Sequence, residues 1–451
     1  MSTTQRARRK PVLRPLARRV HFLAGVLVAP FLVLACLTGL IYVISPQIHQ
    51  GLYAHQLGAD RENWPIRPLD EQVTAALVGH PEAHLDSVVR PAQGDRTTWV
   101  NLVTPGLGDG EVRTVFVDPY TNYICGELTT NGGRLPANVW LREFHADLFL
   151  GPVGALYTAT AAAWLPVILI GGLALWVAKQ GRRPRTARTL LAPSVRRMPP
   201  AARWRAMHGS LGLWLVVGLL AVGVSGTVIS RWAAPLFDTS PPQLVVAPVQ
   251  APPGALPIGL SRALDAARIA GLQGTLEVRP AERPSAPILV AERSEGVPVH
   301  QGSVAVDPYT GQTLARVGWD DYSPGAKFAW AARQFHTGQL FGLANQIVLG
   351  VLVVGLLALV LTGYRIWWRR SPYSNPLSSA PPTVWRGLGA PRLALVAAVT
   401  ILLGLAAPVL GVSLVAFLLV DVVFRQIAAR RAARATPPPQ APTPVDQHVH
   451  Q

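Results

Sequence analysis

The sequence predicts an integral membrane α-helical protein in which a pair of transmembrane helices enclosing an α+β insert occurs twice, followed by a C-terminal helical hairpin. Three observations predict it. Half of the 451 residues are hydrophobic and only 14% are charged, well under the charged share of ordinary soluble domains. The net charge of +17 is concentrated in short segments beside apolar runs. The third is internal repetition, which decides a fold before any local pattern does.

The repeats keep their spacing. Val306-Asp307-Pro308-Tyr309-Thr310 repeats Val117-Asp118-Pro119-Tyr120-Thr121 at an offset of 189, and Phe335-His336 repeats Phe144-His145 at 191. From each of these histidines a glycine (Gly172, Gly363) follows at 27 residues and a tryptophan (Trp176, Trp367) at 31. Upstream, His21-x-x-x-Gly25 and His208-x-x-x-Gly212 each open an apolar run. Each run reaches a hydroxyl-glycine pair, Thr38-Gly39 or Ser225-Gly226, with the glycine 18 residues past its histidine.

Apolar windows of about 20 residues, enough for a helix to cross a bilayer core, lie at 20–45, 153–178, 209–230 and 344–368. A fifth apolar region, 391–424, is too long for one straight span, and Pro408 near its middle predicts two helices in a hairpin. Residues 1–20 hold seven Lys/Arg and 179–207 hold nine, with no acid in either; 369–392 hold four, and 425–451 hold four against the single acid Asp446. The positive-inside rule puts all four segments in the cytoplasm and the two acid-bearing inserts on the other side. The same distribution argues against nucleic acid as a partner, because the charge flanks spans instead of forming a patch on a soluble domain. Lipid bilayer is the partner it implies.

Within the first insert, 70–78 reads as a helix, and 85–90, 97–104, 112–118 and 123–128 read as strands. In the second, a helix is expected over 260–270 and strands over 276–279, 288–292 and 304–307, after a proline-rich linker at 241–257. Cys36 lies in a span and Cys125 in an insert, so no disulfide framework is expected.

Paired inserts ending in VDPYT turns, each followed by a Phe-His segment and a glycine- and tryptophan-marked span, together with the His-x-x-x-Gly openings, resemble the PepSY-associated transmembrane proteins. Asn122, standing where the second copy has Gly311, departs from the pattern and suggests a first insert that has lost turn chemistry. The resemblance implies a bacterial inner-membrane protein. The expected organisation is a basic cytoplasmic tail (1–19), a first span (20–45), a first periplasmic PepSY-like insert (46–152), a second span (153–178), a cytoplasmic loop (179–207) and a third span (208–230). A second PepSY-like insert (231–343), a fourth span (344–368), a cytoplasmic loop (369–390), the hairpin (391–424) and a disordered cytoplasmic tail (425–451) follow. Members of the family act in iron uptake, and some are haem-containing reductases of ferric siderophores.

Intramembrane histidines are costly and point to function. His21 and His208 open helices running from inside to outside, whereas His145 and His336 precede helices running the other way, so two pairs at matched depths are expected. Imidazole suits iron, and a bis-histidine haem needs one ligand from each of two facing helices. The metal ligands expected are therefore His21 with His208 and His145 with His336, for two haems of b type, since no C-x-x-C-H is present. Gly25, Gly39, Gly212 and Gly226 are read as bare strips that let the haem approach. One histidine alone is better read as an interfacial hydrogen-bonding residue; four at equivalent positions favour iron. Zinc or copper fits less well, because only Glu143 and Asp147, both beside His145, offer further ligands at suitable spacing. Arg142, Arg333 and Lys327 flank the outer histidines, as interface anchors or as partners of an anion.

The function expected is an oxidoreductase that passes electrons through two haems to a ferric siderophore or other iron chelate. No G-x-G-x-x-G follows a predicted strand, so the donor would be a quinol or a cytoplasmic electron-donor protein. The alternative is a membrane-anchored binding or regulatory protein acting on a periplasmic peptidase or peptide, without redox activity. A transporter ranks third, because the halves share one orientation and no span carries an acid near mid-depth.

Overall fold

A computed structural model describes residues 13–59, 64–180, 198–233, 238–293, 295–369 and 389–435. The basic stretches within 1–12, 181–197 and 370–388, and the proline-rich end 436–451, lie outside the described residues. So does most of the sidedness argument.

The chain enters through α1 (Leu13–Leu27) and α2 (Ala29–Val43), which meet at 55°. This corrects the expectation of one unbroken helix over 20–45. Pro30, in the first turn of α2, has no N–H to offer the Val26 carbonyl four residues back, so the ladder breaks there. The Tyr364 hydroxyl, from the other half of the chain, donates to that carbonyl at 3.1 Å.

Two short helices, α3 (Ser45–Leu52) and α4 (Ala54–Leu57), lead to α5 (Leu69–Val78) and the strands β1 (His84–Arg90), β2 (Thr98–Val103), β3 (Glu111–Val117) and β4 (Ile124–Asn131). Helix α6 (Pro136–Ala146) brings the chain back to the long helices α7 (Gly151–Gln180) and α8 (Pro200–Val228). The second half then gives α9 (Leu260–Ile269), β5 (Leu276–Arg279), β6 (Ile288–Glu292), β7 (Ser303–Val306), β8 (Thr313–Val317), α10 (Pro324–His336) and α11 (Leu343–Trp368). A hairpin of α12 (Ala390–Ala406) and α13 (Pro408–Ala435) closes the described chain.

The strands of both inserts form one antiparallel sheet, in the order β4-β3-β2-β1-β5-β6-β7-β8. The halves join where β1 pairs with β5, at Val88–Val278, Val89–Glu277 and Arg90–Leu276. Helices α5 and α9 cover one face, and Val88, Val100, Val278 and Val304 are fully buried beneath them. Each such side chain contributes about 1.5–3 kcal/mol of transfer free energy. The helices are also tied across the junction, for Asp70 of α5 accepts from the Leu260 and Ser261 amides at the start of α9, at 2.7 and 3.1 Å. The Leu69 amide donates back to Ser261 Oγ at 2.9 Å.

The repeated turns are alike. Asp118 Oδ1 accepts from the Tyr120 amide and Asp307 Oδ1 from the Tyr309 amide, both at 2.8 Å. Asn122 takes φ 61° where Gly311 takes φ 77°, so the first turn keeps its chemistry, contrary to expectation. Asparagine tolerates the left-handed region better than other side chains.

Among the described residues three helices, α7, α8 and α11, are long and apolar enough to cross a membrane, and the bent α1–α2 pair makes a fourth. Ala24, Leu32, Trp164, Leu219 and Leu356 form their shared core, while Val217 and Val351, 78% and 60% exposed, point outward as lipid-facing residues do. Glycine brings the helices close: a Cβ on Gly218 would stand 2.5 Å from Leu352, and one on Gly355 would run into Leu215. The apolar parts of the hairpin, Leu393–Ala406 and Pro408–Val420, are shorter than these spans. Trp164 Nε1 donates to Ser413 Oγ at 2.8 Å and fixes α13 on α7. The tail expected to be disordered from 425 is helical to Ala435, because RQIAARRAARA is rich in strong helix formers.

Candidate functional site

The four histidines meet in two pairs. His21 of α1 and His208 of α8 have ring centroids 6.2 Å apart, and His145 of α6 and His336 of α10 have theirs 6.5 Å apart. Each pair takes one ring from each half of the chain. His208 and Gly226, which lies against His336, are 18 residues apart on α8, about 27 Å along the helix. The pairs therefore stand near opposite ends of the long helices, with the His145–His336 pair on the side of the sheet.

Each imidazole is fixed through Nδ1. His145 Nδ1 lies 2.9 Å from Thr38 Oγ1, His336 Nδ1 lies 3.0 Å from Ser225 Oγ, and His208 Nδ1 lies 3.0 Å from Thr362 Oγ1. His21 Nδ1 uses a backbone carbonyl, Ile168 O, at 2.8 Å. The hydroxyl protons are already directed down their own helices: Thr38 donates to Leu34 O, Ser225 to Ala221 O and Thr362 to Ala358 O. The hydroxyls therefore accept, and all four Nδ1 atoms donate. That assignment leaves Nε2 of every ring with its lone pair, as a metal ligand requires.

Next to each of these partners is a glycine on which the ring rests. A Cβ on Gly39 would stand 3.2 Å from His145 Cε1, one on Gly226 3.0 Å from His336 Cε1, one on Gly172 2.9 Å from His21 Cε1 and one on Gly363 3.5 Å from His208 Cε1. Here the sequence reading needs correction. Gly39 and Gly226 were expected to serve the histidine that opens their own run, but 18 residues carry them to the other depth, where they seat the other pair. The histidines at the near depth rest on Gly172 and Gly363, whose constant spacing was visible but given no role. Gly25 faces open space and touches no histidine, and Gly212 meets only Leu359, at 3.7 Å. The halves differ at one seat, where Gly171 replaces the hydroxyl residue and a carbonyl takes its part.

Two tyrosines and an asparagine escaped the sequence reading. Tyr42 stacks on His145 with centroids 6.1 Å apart and planes 21° apart. The Tyr157 hydroxyl donates to the His145 carbonyl at 2.6 Å, and Asn345 Nδ2 donates to the Phe335 carbonyl at 3.0 Å. These bonds hold the ends of α6 and α10, which present the two rings. Lys327 turns away, its ammonium 5.6 Å from the centre of the Trp319 ring.

The donor set restricts what could bind. Among the described residues no group of three or more His, Cys, Asp or Glu could hold a metal ion. A bare zinc or copper ion would thus find two protein ligands where it needs three or four. A haem iron would need only two protein ligands, and His21 with His208 or His145 with His336 would supply them through Nε2.

Compared with known protein families, the chain matches the PepSY-associated TM region over residues 18–370. No curated protein matches it.

Proposed function

We propose, from the premise that this chain belongs to the PepSY-associated transmembrane family, that it is a di-haem b reductase of the bacterial inner membrane, delivering electrons to a periplasmic ferric chelate in iron uptake. The observation that carries the reading is the pair of histidine pairs, 6.2 and 6.5 Å between centroids, with every Nδ1 engaged and every Nε2 left for iron. Each b-type haem, when bound, supplies a reversible one-electron centre.

The chain's own residues do the rest. Thr38, Ser225, Thr362 and the Ile168 carbonyl set the tautomer and raise the basicity of each ligand. The glycines beneath the rings fix how closely each imidazole lies against its neighbouring helix. Helix α8 supplies His208 to one pair and the seat of His336 to the other, which holds the two sites at a constant separation. In this reading His145 and His336 lie on the periplasmic side and His21 and His208 towards the cytoplasm, which the distribution of basic segments in the sequence supports. A ferric siderophore fits as acceptor because iron(II) binds hard oxygen ligands less tightly than iron(III), so one electron releases the metal. The donor in this reading is a quinol or a cytoplasmic protein. A purely regulatory role for the sheet would leave the four matched imidazoles without a purpose.

The test is reoxidation. Dithionite-reduced protein should be reoxidised by a ferric siderophore, and His145→Ala or His336→Ala should abolish that step while the inner site still accepts electrons. If these variants reoxidise as fast as the parent, the acceptor does not meet the outer site and the reading fails.

A further inference from the structure

The halves differ in one cross-helix bond beside the inner histidines. Pro30 leaves the Val26 carbonyl without an N–H from its own helix, and the Tyr364 hydroxyl donates to it at 3.1 Å. At the repeat offset of 187 residues the counterparts of Val26 and Pro30 are Leu213 and Val217, inside the unbroken helix α8. At the offset of 191 the counterpart of Tyr364 is Leu173, which has no hydroxyl. The freed carbonyl and its donor thus occur together, in one of two equivalent contacts.

That bond ties the helix of one inner ligand to the helix that fixes the other. On α11, Thr362 Oγ1 lies 3.0 Å from His208 Nδ1, Gly363 seats the same ring, and Tyr364 comes next. At about 100° per residue the side chains of Thr362 and Tyr364 leave the helix nearly opposite each other, one towards α8 and one towards α1. Val26 follows His21 by five residues, in the last turn of α1. His21 ties α1 to α7 through Ile168 O at 2.8 Å, and the Tyr364 bond ties the end of the same helix to α11. Trp367, one turn further along α11, supports the phenol with ring centroids 5.6 Å apart.

We infer that Tyr364 is a positioning residue for the inner pair: by holding α1 on α11, its hydroxyl sets where His21 stands against His208, whose ring centroid is 6.2 Å away. The outer pair does not share this dependence, since its rings hang on Thr38 and Ser225. What the inner pair binds rests on the function proposed above; the positioning does not.

The test uses the full chain purified in detergent. Tyr364→Phe removes the hydroxyl and keeps the ring, and it is read on the inner site alone in a His336→Ala background and on the outer site alone in a His208→Ala background. The inner site should lose haem to a competing apoprotein about fivefold faster, the share of one hydrogen bond. Its low-spin paramagnetic resonance signal should shift as well, because that signal follows the relative orientation of the two imidazoles. The outer site should keep its rate and its signal. Gln346→Leu, which breaks the bond from Gln47 of α3 to α11 at 2.8 Å, should move neither inner readout. A readout that needs no haem is the distance between spin labels at the exposed positions Arg18→Cys of α1 and Leu361→Cys of α11, in a Cys36→Ala/Cys125→Ala background. Tyr364→Phe should broaden its distribution. The inference is overturned if Tyr364→Phe leaves the inner haem unchanged, whether or not the labels move, or if Tyr364→Phe or Gln346→Leu loosens both sites alike. A parent that binds no haem would end the proposed function instead. The label distance would then decide, with a broadened distribution supporting the positioning role and an unchanged one overturning it.

Discussion

His145 donates from Nδ1 to Thr38 Oγ1 at 2.9 Å, while Thr38 sends its own proton to Leu34 O at 2.9 Å. The imidazole is thus oriented by a hydroxyl that has no other proton to give. Thr38→Val keeps the shape and removes the acceptor. Loss of such an outer-shell partner costs about 10–100-fold in metal affinity. Haem loss from the outer site to a competing apoprotein, followed by absorption, should accelerate by that factor, as it should for Ser225→Ala, with the inner site unchanged. Unchanged loss rates in both variants would show that these hydroxyls do not support a ligand.

The glycine seats give a graded series. An added methyl would stand 2.9 Å from the imidazole at Gly172, 3.0 Å at Gly226, 3.2 Å at Gly39 and 3.5 Å at Gly363. Over-packing costs about 1–3 kcal/mol where neighbours cannot move. Alanine at Gly172 or Gly226 should disturb its pair most, Gly39 less, and Gly363 little. Gly212→Ala, against Leu359 at 3.7 Å, serves as the control that leaves stability unchanged in thermal melts. A series ranked otherwise would mean that the rings do not rest where the structure places them.

Much of this site was legible and part was not, for reasons that particular residues make clear. The four histidines and their pairing followed from spacing and charge, because helix direction fixes depth. The seats did not follow. Periodicity says which face Gly39 shares with His21, but not which neighbour that face meets five turns later. Helices α6 and α10 were missed because each is short and begins at a proline, which reads locally as a turn signal before it reads as a helix start. Strand β8 is mostly exposed and lacks a buried face to betray it. The pairing of β1 with β5 joins residues nearly 190 apart, and no local pattern records such a contact.

Asp70 tests whether the two inserts act as one body. Burial disfavours its charge, but the hydrogen bonds from Ser261 and the Leu260 amide outweigh that and hold its carboxyl below the usual range. A carboxyl whose pKa is depressed by folding stabilises above its unfolded value, and the benefit is lost as pH falls through the folded one. Asp70→Ala should destabilise the sheet by about 1 kcal/mol at neutral pH, the usual effect of losing a helix cap. The difference from the parent should vanish in acid, below the ordinary carboxylate range. Denaturant melts followed by tryptophan fluorescence at neutral and acidic pH would check both the size and the direction.

The most direct measurement is haem stoichiometry. The purified parent should show a Soret band, with sharp low-spin bands on dithionite reduction, and pyridine haemochrome should return about two haems per chain, one for each histidine pair. His336→Ala should return about one, because its partner His145 belongs to a site separate from His21 and His208. A folded parent that returns no haem, or a folded His336→Ala protein that loses both, would contradict two independent bis-histidine sites.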